Sequence, residues 1–130
     1  MSASAVDVVA AWHEAVNAAD VERLLALSSE EVEVGGPRGS GRGAAVLREW
    51  VARARIHLEP RRVFWRGETV VVQEAARWPG AETGELTPAQ EVASVFDVRD
   101  GRVVRVVRHA DLGAALKAAG LDESHEVLTT

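Results

Sequence analysis

Residues 88–109 read PAQEVASVFDVRDGRVVRVVRH, and the Asp100-Gly101 pair near their centre decides how the second half of the chain folds. An Asp-Gly dipeptide suits a two-residue type I′ turn, and the Val-rich segments on either side supply pleated surfaces that pair across it. Two antiparallel strands follow, Pro88 to Arg99 and Arg102 to His109. Upstream, His57 to Arg66 and Thr69 to Trp78 have the same partly alternating character, and Arg66-Gly67-Glu68 joins them by a second tight link. The four segments predict an antiparallel meander. Only the connection from Pro79 to Thr87 is long, and its Gly and acidic residues predict a mobile flap at the sheet's end.

The first half is helical. Ser4, with Asp7 three residues on, resembles a capping box, and Val6, Val9, Ala10, Trp12, Ala15 and Val16 then cover a wide apolar arc. Asn17-Ala18-Ala19 breaks that helix, Asp20 caps a short second one, and Glu31-Val32-Glu33-Val34 alternates as a short strand. A turn-rich loop from Gly35 to Gly43 follows. Val46, Leu47, Trp50, Val51 and Ala54 then form the single apolar stripe of a third helix. At the other end, Asp111 caps a last helix that stops at Gly120.

Composition bounds the function. The 130 residues suit one domain, 1–130, with its core at about 5–118 and a frayed polar tail at 122–130. A net charge of -5 without a basic run excludes the footprint of a nucleic-acid binder. No stretch approaches the roughly 18 apolar residues of a membrane span, and Met1-Ser2-Ala3-Ser4 lacks a signal peptide's basic start, so cytoplasmic residence is expected. The absence of Cys removes disulfides, thiolate nucleophiles and zinc–thiolate sites, and the absence of Tyr removes a phenolic acid. Lys117 is the single Lys among fifteen basic residues, which argues against Schiff-base chemistry.

The order helix, helix, short strand, helix, meander is an α+β pattern in which a curved sheet wraps a helical wedge. Ala11 to Val34, AWHEAVNAADVERLLALSSEEVEV, is similar to the first two helices and first strand of bacterial ketosteroid isomerases, and Gly43 to Trp50, GAAVLREW, resembles their third-helix entry. On these residues the chain resembles the NTF2-like superfamily (SnoaL-like, ketosteroid-isomerase-like) over about residues 5 to 118. The resemblance implies a cone: a curved, mostly antiparallel sheet around three N-terminal helices, with a short C-terminal helix. It also implies where a steroid isomerase would carry its catalytic groups, and this chain departs at each. Gly36 stands at the general base, Trp12 in the Tyr region, and Val92 or Ala93 at the protonated Asp. Steroid isomerisation is therefore rejected, while the SnoaL-like cyclase and epoxide hydrolase readings survive.

A cone of this kind usually holds an apolar pocket with a few convergent polar groups. His109 and Asp111, at the end of the last strand, are a candidate base and carboxylate, though Asp111 is equally explained as a helix cap. Glu91, with Gln73 and Arg77 in the preceding strand, forms a candidate polar cluster, or Glu91 and Arg77 form a cross-strand pair on a solvated surface. Trp12, Trp50 and Phe64 are candidate ligand-binding rings, and Trp65 and Trp78 are divided between core and interface. Strand alternation sets His57, Glu59, Arg61, Val63 and Trp65 on one face. Gly39 to Gly43 lacks the ending of a phosphate loop, and His57 with Glu59 lacks a third metal ligand, so neither metal nor cofactor is expected.

Two functions fit. The first is a protein that binds a small, mostly apolar molecule, with cofactor-free acid/base catalysis of the isomerase, cyclase or epoxide hydrolase type. The second is a non-catalytic ligand-binding or dimerisation module. A ferredoxin-like barrel fits poorly with three helices ahead of the meander. A homodimer through the open sheet face is expected, because helices cover only one side of a Val-rich sheet.

Overall fold

The computed structural model describes residues 4–36, 39–54, 56–78 and 88–127. Helix α1 (Ala5–Asn17) begins where the Ser4 hydroxyl accepts from the Asp7 N–H at 3.1 Å, and it buries Val8, Val9, Trp12, His13, Ala15 and Val16 on one side. Asp20 accepts from the Arg23 N–H and starts α2 (Val21–Ala26). Strands β1 (Ser28–Gly36) and β2 (Gly39–Arg42) pair as an antiparallel hairpin inside the stretch expected to be a loop. Then come α3 (Ala44–Ala54), β3 (His57–Arg66), β4 (Thr69–Arg77), β5 (Gln90–Arg99), β6 (Arg102–His109), α4 (Leu112–Ala119) and a 3₁₀ turn at Glu123–His125. The expected flap at Pro79 to Thr87 lies outside the described residues.

The meander is present, with antiparallel pairing of β3 with β4, β4 with β5 and β5 with β6. Asp100 and Gly101 take the positive φ angles, 53° and 75°, that a type I′ turn needs. Strand β1 joins the far side of β6 in parallel, so one six-stranded sheet runs β2-β1-β6-β5-β4-β3. The expected α+β cone is observed: a curved sheet with α1, α2 and α3 on its inner face.

Two clusters show which residues share a face. Inside, Trp12, Leu24, Leu47 and Val51 pack against Val32, Leu58, Val70, Val72, Phe96 and Val106. Outside, Phe64, Val71, Ala93 and Val95 pack under α4 through Ala115 and Leu121. In β3 a bulge between Pro60 and Arg62 breaks the alternation, so Val63 packs with the inner cluster although His57 pairs with Arg77 on the outer side. The uniform face expected for His57 through Trp65 is corrected accordingly.

Edge strand β3 is tied to α1 by one side chain. Asn17 Nδ2 donates to the Leu58 carbonyl at 2.8 Å, and the Leu58 N–H donates to Asn17 Oδ1 at 2.7 Å, which satisfies both exposed backbone groups at that point. The chain end is also held. Asp122 caps the 3₁₀ turn, the Val127 N–H donates to the Val63 carbonyl at 2.7 Å, and the Arg62 guanidinium grips Glu126 through two 2.9 Å bonds. Residues 122–127 are therefore docked, which corrects the frayed tail over that span, while 128–130 lie outside the described residues. Loss of a short polar segment's entropy is offset here by a bidentate ion pair and a backbone bridge, neither of which leaves a signature in the sequence.

The hydrogen bonds from Arg62 hold the Glu126 carboxyl below its ordinary value of 4.5. A depressed carboxyl contributes stability that is fully present above its unfolded pKa and is lost as pH falls through the folded one. Amide hydrogen exchange at Val127 is thus expected to be slow at neutral pH and to accelerate, relative to the intrinsic rate, once pH drops below about 4.5. Protection unchanged down to pH 3 contradicts this.

Candidate functional site

Between the helices and the inner sheet face lies a cavity of about 550 Å³, within the range of small-molecule sites. One wall is aromatic: Trp12 from α1 and Trp50 from α3 stack with centroids 6.2 Å apart and planes 22° from parallel. Val46, Leu58 and Val106 add apolar surface, and the mouth is formed by the glycine-rich backbone of β1 and β2. At Gly41 a Cβ would fall 2.9 Å from Val46 Cγ1, so the missing side chain is what lets β2 close against α3. Three polar side chains reach the cavity from the sheet: Ser40 on β2, and Ser94 on β5 and Arg108 on β6, which lie opposite each other across the strand pair.

Behind Ser94 sits a buried polar chain. His13 is 2%, Glu74 0% and Ser94 3% exposed. His13 Nδ1 lies 2.8 Å from the Val9 carbonyl, His13 Nε2 lies 2.5 Å from Glu74 Oε2, and Ser94 Oγ lies 2.7 Å from Glu74 Oε1. A carbonyl only accepts, so Nδ1 carries a hydrogen. Two lone pairs cannot face each other at the Nε2–Oε2 contact, so one proton lies on that line. Glu74 Oε1 is then the acceptor for the Ser94 hydroxyl. The site is tightly accounted for: Trp12 Nε1 donates to Ser28 Oγ at 3.2 Å, Ser28 donates to the Leu24 carbonyl at 2.8 Å, and every buried side-chain polar atom among the described residues has a partner.

The placement of the sequence candidates divides sharply. Trp12 and Trp50 line the cavity. Phe64 does not, because it lies fully buried on the outer face under α4 with the Arg62 guanidinium 5.0 Å from its ring. Gln73 and Glu91 pair with Ala93 and Ala75 on that same outer face, where Glu91 is exposed. Arg77 pairs with His57 rather than Glu91, so the expected cluster of Gln73, Arg77 and Glu91 does not face the cavity. His109 pairs with outer-face Ala93, and Asp111 is exposed and spends its Oδ1 on the Ala114 N–H at 2.8 Å as the cap of α4. The physical reason is parity: in β4 and β5 the even-numbered residues Val72, Glu74, Val92, Ser94 and Phe96 point inward.

His13, Glu74, Ser94 and Arg108 escaped the sequence reading. The available signal was His13 within the apolar arc of Val9, Trp12 and Val16, since a polar residue on the buried side of a helix demands a buried partner. Arg108 stacks over Trp78 at 5.8 Å, and among the described residues no carboxylate forms an ion pair with it. No group of three or more His, Cys, Asp or Glu among the described residues is arranged to hold a metal. No helix among them is long and apolar enough to cross a membrane.

The hydrogen-bond accounting predicts an asymmetric mutational response. In Glu74→Gln the amide can donate to His13 Nε2 and still accept from Ser94, so urea denaturation should show a loss below about 1.5 kcal/mol. His13→Leu leaves a buried carboxylate without its partner and should lose about 3–5 kcal/mol. Equal losses in the two variants contradict the assigned proton positions.

A family profile for the SnoaL-like domain matches residues 9–106. No curated protein matches the chain. Among solved structures, an NTF2-like protein of unknown function from Cytophaga hutchinsonii superposes with a TM-score of 0.73 at 13% identity, covering 84% of this chain and 91% of that one. TerC co-crystallized with polyporic acid gives 0.72 at 21% identity over 87% and 95% of the two chains. A protein from Xanthomonas campestris pv. campestris, provisionally named a polyketide cyclase, gives 0.69 at 24% over 85% and 92%. Identities this low carry the fold and not the activity. The family match over most of the length, with the cone around a helical wedge, establishes that the chain belongs to the SnoaL-like domain family of the NTF2-like superfamily.

Proposed function

We propose that this protein binds a small, flat, mostly apolar molecule in the cone cavity. The observation that carries this reading is the open 550 Å³ space walled by the stacked Trp12 and Trp50, in a fold that side chains could have filled. The co-crystallisation of TerC with polyporic acid supports ligand binding in this fold, and it says nothing about the ligand here. Acid/base catalysis is the second reading, favoured by one feature. Glu74 is a single hydroxyl removed from the cavity, so a proton accepted by Ser94 from a ligand can be matched by Ser94 passing its own to Glu74 Oε1.

Gly36 supplies the test, because among the described residues a Cβ there approaches nothing closer than Arg108 Cβ at 4.0 Å, and a side chain would occupy the cavity mouth without meeting their backbone. Isothermal titration with 2-naphthol is expected to show one site on the parent protein and at least tenfold weaker binding to Gly36→Leu at unchanged melting temperature. Equal binding to both proteins places the ligand elsewhere and defeats the reading. In a second arm, protein-accelerated deuterium exchange α to the carbonyl of 2-tetralone should appear in the parent and vanish in Glu74→Gln; no acceleration in the parent leaves a binding protein without catalysis.

A homodimer through the outer sheet face also belongs to this proposal. α4 covers Phe64, Val71, Ala93 and Val95, so helices lie on both sides of the sheet and not on one as expected, and the surface left open to a partner includes half-buried Gln73, Val107 and His109 beside exposed Glu91. Light scattering at micromolar concentration is expected to give about twice the 13.9 kDa chain mass, and a monomer removes the claim.

A further inference from the structure

The cavity has a polarity that follows from the buried chain behind it. Ser94 gives its only hydrogen to Glu74 Oε1, and Oε1 can only accept because the pair's one proton lies on the Nε2–Oε2 line. Toward the cavity, Ser94 therefore presents lone pairs alone. Opposite it on the next strand stands Arg108, a permanent cation with five donors, oriented by stacking over Trp78. Side chains paired this way across antiparallel strands have Cβ atoms about 5 Å apart. An acceptor and a cation are thus held side by side in the cavity that the stacked indoles also line.

We propose that the ligand is an acidic hydroxyarene or cyclic enol, its anionic oxygen held by Arg108 and a neighbouring hydroxyl donating to Ser94, with its ring against Trp12 and Trp50. The specificity-determining residues are Ser94 and Arg108. A ligand that brings an acceptor to Ser94 is disfavoured, since acceptor would meet acceptor at a hydroxyl that is itself buried. No carboxylate among the described residues pairs with the half-buried guanidinium, so a neutral ligand adds no counter-charge to it. This assignment rests on the ligand-binding reading above and narrows it to one chemical class.

The test uses four naphthalene probes and isothermal titration on the whole chain: 2-naphthol, 4-hydroxy-2-naphthoate, its 4-methoxy ether and its methyl ester. Each of the last two removes one complementarity. The hydroxy acid is expected to bind about tenfold tighter than either derivative, the scale of one hydrogen bond or ion pair lost. In Ser94→Ala the preference for hydroxyl over methoxy should collapse towards one while the preference for acid over ester persists. In Arg108→Gln the reverse is expected. Should Ser94→Ala fail to fold, the hydroxyl-to-methoxy ratio of the parent and the Arg108→Gln profile still decide. Equal binding of hydroxy and methoxy acids by the parent, or ratios unmoved by the variants, overturns the assignment, while 2-naphthol binding lost in Gly36→Leu would leave the broader reading standing. If no probe binds, both fall together.

Discussion

One proton, on the 2.5 Å line between His13 Nε2 and Glu74 Oε2, joins the helical wedge to the sheet. Both residues are buried and neither has water as an alternative partner, so each is costly without the other. The contact fixes the rotation of α1 against β4. That rotation sets the Trp12 indole edge-on to Phe96 at 5.1 Å and stacked on Trp50, with its N–H on Ser28. The aromatic wall of the cavity and the direction of the Ser94 hydroxyl are both consequences of where α1 is pinned.

Stability alone does not require this arrangement. A well-packed apolar pair in place of a buried ionisable one is often as stable or more so. What an apolar pair cannot do is hold a serine hydroxyl pointing away from a cavity, leaving an acceptor at its surface. The same trade appears at the cavity mouth. Gly36, Gly39 and Gly41 contribute no side chains to fill the cone, and the strands they belong to are consequently weak in packing. Their pairing instead draws on the β1–β6 ladder and on the Arg42–Glu33–Arg105 ion cluster, whose hydrogen bonds lower the Glu33 carboxyl below its ordinary value. Space for a ligand is obtained by omitting side chains where the backbone can be supported from elsewhere.

The sequence carries the local geometry of this fold well. Asp100-Gly101 is a turn because few residues accept two positive φ angles, and Ser4, Asp20, Asp111 and Gly120 end their helices through short-range bonds. Non-local choices are less visible. The parallel pairing of β1 with β6 closes contacts far apart in the chain and has no local signature. Parity in β4 was ambiguous for a physical reason: Val70, Val71, Val72, Ala75 and Ala76 are all buried, so both faces are apolar and the alternation that would have separated Glu74 from Gln73 is nearly flat. Trp12 and Trp50 are legible as cavity residues because they lie on helices with clear apolar stripes, whereas Phe64, Glu74, Ser94 and Arg108 depend on strand register. His13 was readable in principle, as a polar residue on an apolar helix face, but its partner 61 positions away was not.

The account stands on the direction of the hydrogen bonds from Val9 to Ser94. Long-range ¹H–¹⁵N correlation spectra of the His13 imidazole measure that direction. In the parent protein Nδ1 should be protonated, with a strongly downfield, slowly exchanging proton shared between Nε2 and Glu74. In Glu74→Gln, Nδ1 should remain protonated while Nε2 becomes a bare acceptor. An unprotonated Nδ1 in the parent would break the chain of donors at its first link, the Val9 carbonyl, and contradict the account.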